Sequence, residues 1–213
     1  MANYENIKTI LFDLGGVLLD VSYERTVETF KQHGVTNFDA LYTQAKQDHL
    51  FDQFETGAIS PAEFRNEVRE RTGIQLNDEA IDRSWNAILG QLPQDRVDMI
   101  RLLKERYQVL LLSNTNAIHV EAFSQLIEEQ NGIADFKGLF HGAYYSNELG
   151  MRKPHAEVFH HVLGIHGANP KSTLFIDDTK HHVDGSIAAG LNGYFLDLAK
   201  EDVGHALKGL GII

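Results

Sequence analysis

The chain has 213 residues, 43% of them hydrophobic and 23% charged, with a formal net charge of -11 and no cysteine. That length and balance fit one globular domain, or a domain with a smaller insert, holding enough apolar residues for a core. The acidic balance argues against a nucleic-acid partner, whose phosphates need Lys and Arg, while the missing cysteines exclude disulfides, thiolate zinc sites and a Cys nucleophile and fit a cytoplasmic protein.

The first ten residues, MANYENIKTI, hold no basic stretch followed by a long apolar run, so no signal peptide is expected. No apolar stretch approaches the ~20 residues that span a bilayer, so no membrane partner is expected either. Five short apolar runs read as buried parallel strands: KTILFD (8–13), QVLLLS (108–113), GAYYS (142–146), TLFID (173–177) and GYFLD (193–197). Segments with helical spacing precede three of them, at 95–107, 155–167 and 181–191. Such alternation predicts a doubly wound α/β sheet.

Residues 18 to about 90 contain no convincing strand. Helices are predicted there over 24–34, 38–48, 60–73 and 77–90. The third carries the fullest signals: Ser60 as cap, Pro61 at the first helical position, Glu63 completing a capping box and Gly73 as the stop. The fourth repeats the pattern with Asn77 as cap and Gly90 as stop. The expected organisation is a core of residues 1–17 and 91–213 with a helical insert over 18–90.

Ligands of open α/β sheets bind beyond the carboxyl ends of the strands. The side chains expected there are Asp13, Ser113 with Asn114 and Thr115, Lys153 before Pro154, and the pair Asp177 and Asp178. Neighbouring carboxylates repel and need a cation to stay ionised together. Mg²⁺ takes oxygen ligands from one or two carboxylates plus phosphate and water. A metal and a lysine together neutralise a transferring phosphoryl group, and a further carboxylate can attack phosphorus. The set therefore fits phosphoryl transfer. Singly, each residue has a plainer reading, as turn, cap or solvated charge; the joint placement carries the argument.

At these stretches the chain resembles the haloacid dehalogenase superfamily, which is dominated by phosphatases. FDLGGVLLD is similar to its first motif, LLLSNTN to its second, Lys153 in GMRKP to its third and FIDD to its fourth. The combination is similar to a bacterial subgroup that includes sugar-1-phosphate phosphatases. The resemblance implies a Rossmann-like doubly wound parallel sheet with an inserted small helical cap that closes over the site. It implies Asp13 as nucleophile through an aspartyl phosphate, and Ser113 and Asn114 as phosphate-binding residues. Lys153 would bridge nucleophile and phosphate. Mg²⁺ would be held by Asp13, the Gly15 backbone carbonyl and Asp178, with Asp177 direct or through water. The implied partner is a small phosphorylated metabolite, a sugar phosphate favoured.

One departure stands out. Most phosphatases of the family carry a general acid/base Asp two residues after the nucleophile, and here that position is Gly15. Such help is worth about 10²–10⁴-fold in rate. Asp20, Asp48 and His49 are candidate substitutes. Two alternatives follow: a metal-independent 2-haloacid dehalogenase, or a non-catalytic phosphate-binding protein of the same fold. Specificity is expected around residues 44–57. His182 is close enough in sequence to Asp178 to reach the site, and Trp85 is expected in the core of the insert.

Overall fold

The computed structural model describes residues 4, 6–47 and 49–213. Asp48 lies outside the described residues. Five parallel strands form one sheet: β1 (Thr9–Phe12), β2 (Gln108–Ser113), β3 (Gly142–Tyr145), β4 (Thr173–Asp177) and β5 (Asn192–Phe195), in the spatial order β3-β2-β1-β4-β5. Each predicted strand is present, β2 and β4 with the expected bounds.

Alternation along the strands builds two separate apolar layers. Ile10 and Phe12 of β1, Val109 and Leu111 of β2, and Leu174 and Ile176 of β4 face one side. There they meet α6 (Gln94–Lys104), α7 (Ala117–Asn131) and α11 (Val203–Gly209) through Val97, Ile100, Phe123, Ile127 and Leu207. Leu11, Leu110, Leu112 and Phe175 face the other side and meet Val158, Phe159, Val162 and Leu163 of α9 (Ala156–Ile165). α10 (Lys180–Ala188) lies against β4 and β5, and the short α8 (Ser146–Leu149) follows β3. Helices on both faces explain why the strands read as continuous apolar runs.

Among the described residues, the interval between β1 and β2 contains five helices before α6: α1 (Tyr23–Gln32), α2 (Phe38–Gln47), α3 (Leu50–Glu55), α4 (Pro61–Thr72) and α5 (Asp78–Asn86). They share a third apolar cluster built on Phe30, Phe38, Phe54, Phe64 and Trp85, with Ile118 of α7 joining from below. Phe30 stacks on Phe38 at 4.3 Å and Phe54 on Phe64 at 4.1 Å. α4 has the capping box of Ser60 and Glu63, and Gly73 at φ 67° as its stop. The stop expected at Gly90 is not there. α5 ends at Asn86, and the Gly90 N–H instead donates to the Asp20 carbonyl at 2.7 Å. A Cβ on Gly90 would lie 2.7 Å from that carbonyl oxygen, so the glycine serves backbone approach between the two connecting segments. Among the described residues no helix is long and apolar enough to cross a membrane.

Candidate active site

β1 delivers Asp13 to the carboxyl edge of the sheet, where its N–H donates to Ile176 of the neighbouring β4 at 3.0 Å. β4 ends on Asp177, and Asp178 follows. Acceptor oxygens of Asp13, Asp177 and Asp178 lie within 4.8 Å of one another. Lys153 is fully buried beneath them, its Nζ donating to Asp13 at 2.5 Å and to Asp177 at 2.7 Å. The side chains expected from motifs one, three and four thus meet in one cluster.

The two acids of motif four differ in surroundings. Asp177 is fully buried. Besides Lys153 it accepts from the Thr179 N–H at 2.7 Å and faces His182 Nδ1 at 3.1 Å. Asp178 lines the cavity in front of the sheet edge. The second glycine of motif one exists for Asp178. Gly16 has φ 77°, and a Cβ there would run into the Asp178 carboxylate.

The charges do not balance. Three carboxylates share one lysine. Burial pushes Asp13 up, and the neighbouring Asp177 and Asp178 add to that against the pull of Lys153. Burial and Asp177 push Asp178 up to about 6. Burial also acts upward on Asp177, but Lys153 and His182 together hold it well below the usual carboxylate range. Burial alone would lower Lys153, yet Asp13 and Asp177 outweigh it and raise it. A hard divalent cation is the partner such a donor set fits: clustered oxygen ligands with surplus negative charge.

Ser113, at the end of β2, lines the same cavity, which has a volume of about 320 Å³. Asn114 lines the cavity too, and its amide also grips the loop that carries Lys153. Its Nδ2 donates to the Lys153 carbonyl at 3.0 Å, and its Oδ1 accepts from the Lys153 N–H at 2.9 Å. Both ends of the amide hold the peptide of Lys153, and the second Nδ2 N–H and the backbone N–H stay available as donors at the cavity that Asn114 lines. Gly15 lines the cavity with negative φ, and a Cβ there would meet only Val21 Cγ1 at 3.4 Å.

The helical layer roofs this cavity with Thr26, Phe51, Glu55 and Trp85. Trp85 stacks on His119 of α7 at 5.2 Å, and His119 Nδ1 faces Asn86 Oδ1 at 2.8 Å. Arg152, next to the site lysine, forms ion pairs with Asp52 and Glu55 of α3. Arg152, Glu55 and His119 were not singled out from the sequence, because no motif or spacing marks them. Asp20 and His49 are not at the cavity. Asp20 pairs with Arg96 at 2.9 Å, and His49 pairs with Asp52 at the surface.

Residues 7–190 match the haloacid dehalogenase-like hydrolase family. The chain belongs to that family. It is 37% identical to a haloacid dehalogenase family enzyme of Bacteroides thetaiotaomicron, crystallised in complex with magnesium and inorganic phosphate, with a TM-score of 0.82 over 94% of this chain and 98% of that one. It is 29% identical to the D-ribitol-5-phosphate phosphatase of Bacteroides thetaiotaomicron, over 83% of this chain and 85% of the relative. A glyceraldehyde 3-phosphate phosphatase of Pyrococcus furiosus is 24% identical over 81% of this chain and 72% of its own length.

Proposed function

We propose that this family member is a Mg²⁺-dependent phosphatase of small phosphate monoesters, sugar or polyol phosphates foremost. The observation that carries the reading is the surplus of carboxylate at the floor of the cavity: buried Asp13 and Asp177 with half-buried Asp178 around one lysine. The magnesium and phosphate bound by the similar Bacteroides enzyme, and the polyol and triose phosphates named for two curated relatives, support it.

In this reading Asp13, the Gly15 carbonyl and Asp178 hold the metal. Asp177, whose oxygens already face Lys153, Thr179 and His182, fixes the lysine and meets the metal at most through water. Bound Mg²⁺ supplies charge neutralisation for the phosphoryl oxygens and lets Asp13 stay ionised. Ser113 and the backbone N–H groups that follow bind the phosphate. Lys153 holds one oxygen of Asp13, which leaves the other to attack phosphorus in line and form an aspartyl phosphate. Water then attacks that intermediate. Residues 18–90 act as a cap over the core of 1–17 and 91–213, and exclude bulk water from the cavity.

The dehalogenase reading needs no metal, and leaves Asp178, pushed up to about 6, without a countercharge. A panel of sugar, polyol and triose phosphates, assayed for phosphate release with Mg²⁺ and with EDTA, tests the proposal. Mg²⁺-dependent release supports it. Halide release from 2-haloacids that persists in EDTA would overturn it.

A further inference from the structure

Gly15 supplies no carboxyl for proton transfer, yet among the described residues one carboxyl outside the clustered acids does line the cavity. It is Glu55, the last residue of α3. Its Oε2 is buried and, among the described residues, has no hydrogen-bond partner. Arg152 Nη2 stands 2.9 Å from that oxygen but off the line a hydrogen bond requires. The charged and titratable groups around it are Arg152 and Lys153 from the loop after α8, Asp13 from the end of β1, Tyr42 of α2 and, on its own helix, Asp52, which also pairs with Arg152. Burial pushes Glu55 up to about 7, outweighing the downward pull of Lys153, with a smaller upward push from Asp13.

Among the described residues, the two histidines that line the cavity are placed differently. Burial holds His119 down at about 3, so it stays neutral and cannot give up a proton near neutral pH. His182 turns its Nδ1 to Asp177.

We propose that Glu55 is the general acid and base of this hydrolase, reaching from the helical layer toward the leaving group while Asp13 attacks from the floor. The proposal rests on the phosphatase reading above. As the bond from Asp13 to phosphorus forms and the ester P–O bond breaks, the Glu55 carboxyl gives its proton to the departing oxygen and the alcohol leaves. The Glu55 carboxylate then takes a proton from water while the water oxygen bonds to phosphorus and the bond to Asp13 breaks. Inorganic phosphate leaves, and both residues return to their starting states. An acid/base group serves best with a pKa near the working pH.

The test compares wild type, Glu55→Gln and Glu55→Asp with Mg²⁺ on two esters of similar shape, p-nitrophenyl phosphate and phenyl phosphate. The nitrophenolate departs without a proton; the phenolate is much the poorer leaving group. Glu55→Gln is expected to lose about 10²–10⁴-fold in kcat on phenyl phosphate and roughly 10-fold or less on p-nitrophenyl phosphate, with KM nearly unchanged. Glu55→Asp recovers part of the loss. Equal losses on both esters, or a change confined to KM, would overturn the proposal, since Glu55 would then bind or brace. The wild type carries the same test without any variant: its preference for the nitrophenyl ester should steepen above pH 7 as Glu55 ionises, and a pH-independent preference overturns the assignment. If the folded wild type with Mg²⁺ hydrolyses neither ester, the phosphatase reading itself has failed.

Discussion

Asn114 grips the peptide of Lys153 at both ends, its amide nitrogen donating to the carbonyl at 3.0 Å and its amide oxygen accepting from the N–H at 2.9 Å. The residue after the strand-end serine thus acts through the lysine. It sets the height from which the Lys153 side chain reaches Asp13 and Asp177. Asn114→Ala leaves two backbone groups of Lys153 unpaired in a part-buried place, which costs about 1–3 kcal/mol. The expected result is a lower melting temperature with a fall in kcat that exceeds any rise in KM. An unchanged kcat in a destabilised protein would show that Lys153 keeps its position without the clamp.

The two glycines of motif one answer differently to substitution. Gly15 lies outside the left-handed region and a Cβ there would have only Val21 in contact range, so Gly15→Asp should fold normally. Because Gly15 faces the cavity, a carboxyl there should restore turnover of phenyl phosphate at least ~10-fold in the Glu55→Gln background. Gly16→Ala should do the opposite. It places a Cβ at φ 77° and against the Asp178 carboxylate, costing about 1–2 kcal/mol from the backbone alone. Its Mg²⁺ affinity should fall as well, measured by titration calorimetry.

Metal should stabilise the fold measurably. A ligand at 100 times its Kd adds about 2.7 kcal/mol, which for a chain of this size is a rise of roughly 5–10 °C in melting temperature. Asp178→Asn should abolish most of that rise. Because burial and Asp177 push Asp178 up to about 6, protons compete with the metal below that pH. The Mg²⁺-induced rise is therefore expected to be larger at pH 7.5 than at pH 5, and scanning calorimetry at the two values checks it.

His119 gives the fold a pH dependence of its own. Burial lowers it to about 3, against an unfolded value near ~6.5. Below the unfolded value the denatured chain binds a proton that the folded chain refuses. This group's contribution is thus fully present above pH ~6.5 and is lost on acidification, at about 1.4 kcal/mol per pH unit, until the folded pKa is reached. His119→Phe keeps the stacking on Trp85 and removes the titration. Urea unfolding at pH 7.5, 6 and 5 should show a shallower loss in the variant.

Much of this was legible in the sequence because the decisive residues sit at fixed places relative to their own strands. Asp13, Ser113, Asp177 and Asp178 each terminate or follow an apolar run, and parallel strands in one sheet bring such ends together. The α4 boundaries were legible because Ser60, Glu63 and Gly73 act locally. Gly90 misled because its requirement is a close approach to Asp20, a long-range contact that mimics a stop signal. Glu55 falls within the 44–57 stretch expected to set specificity, but nothing there singles it out, for a related reason. It ends a six-residue helix, and what gives it meaning is Arg152 and Asp13, far away in the chain. Asn114 lies at the cavity as expected, but its grip on Lys153 could not be read from the sequence, since only the fold shows that lysine arriving beside its amide.

The most direct measurement of the account is steady-state hydrolysis of p-nitrophenyl phosphate with Mg²⁺ by Asp13→Asn beside the wild type, with melting curves on both. The variant should melt cooperatively and lose at least ~10³-fold in kcat, as expected when a covalent nucleophile is removed. Turnover by a folded Asp13→Asn within ~10-fold of wild type would contradict the assignment of Asp13, and with it the mechanism built around it.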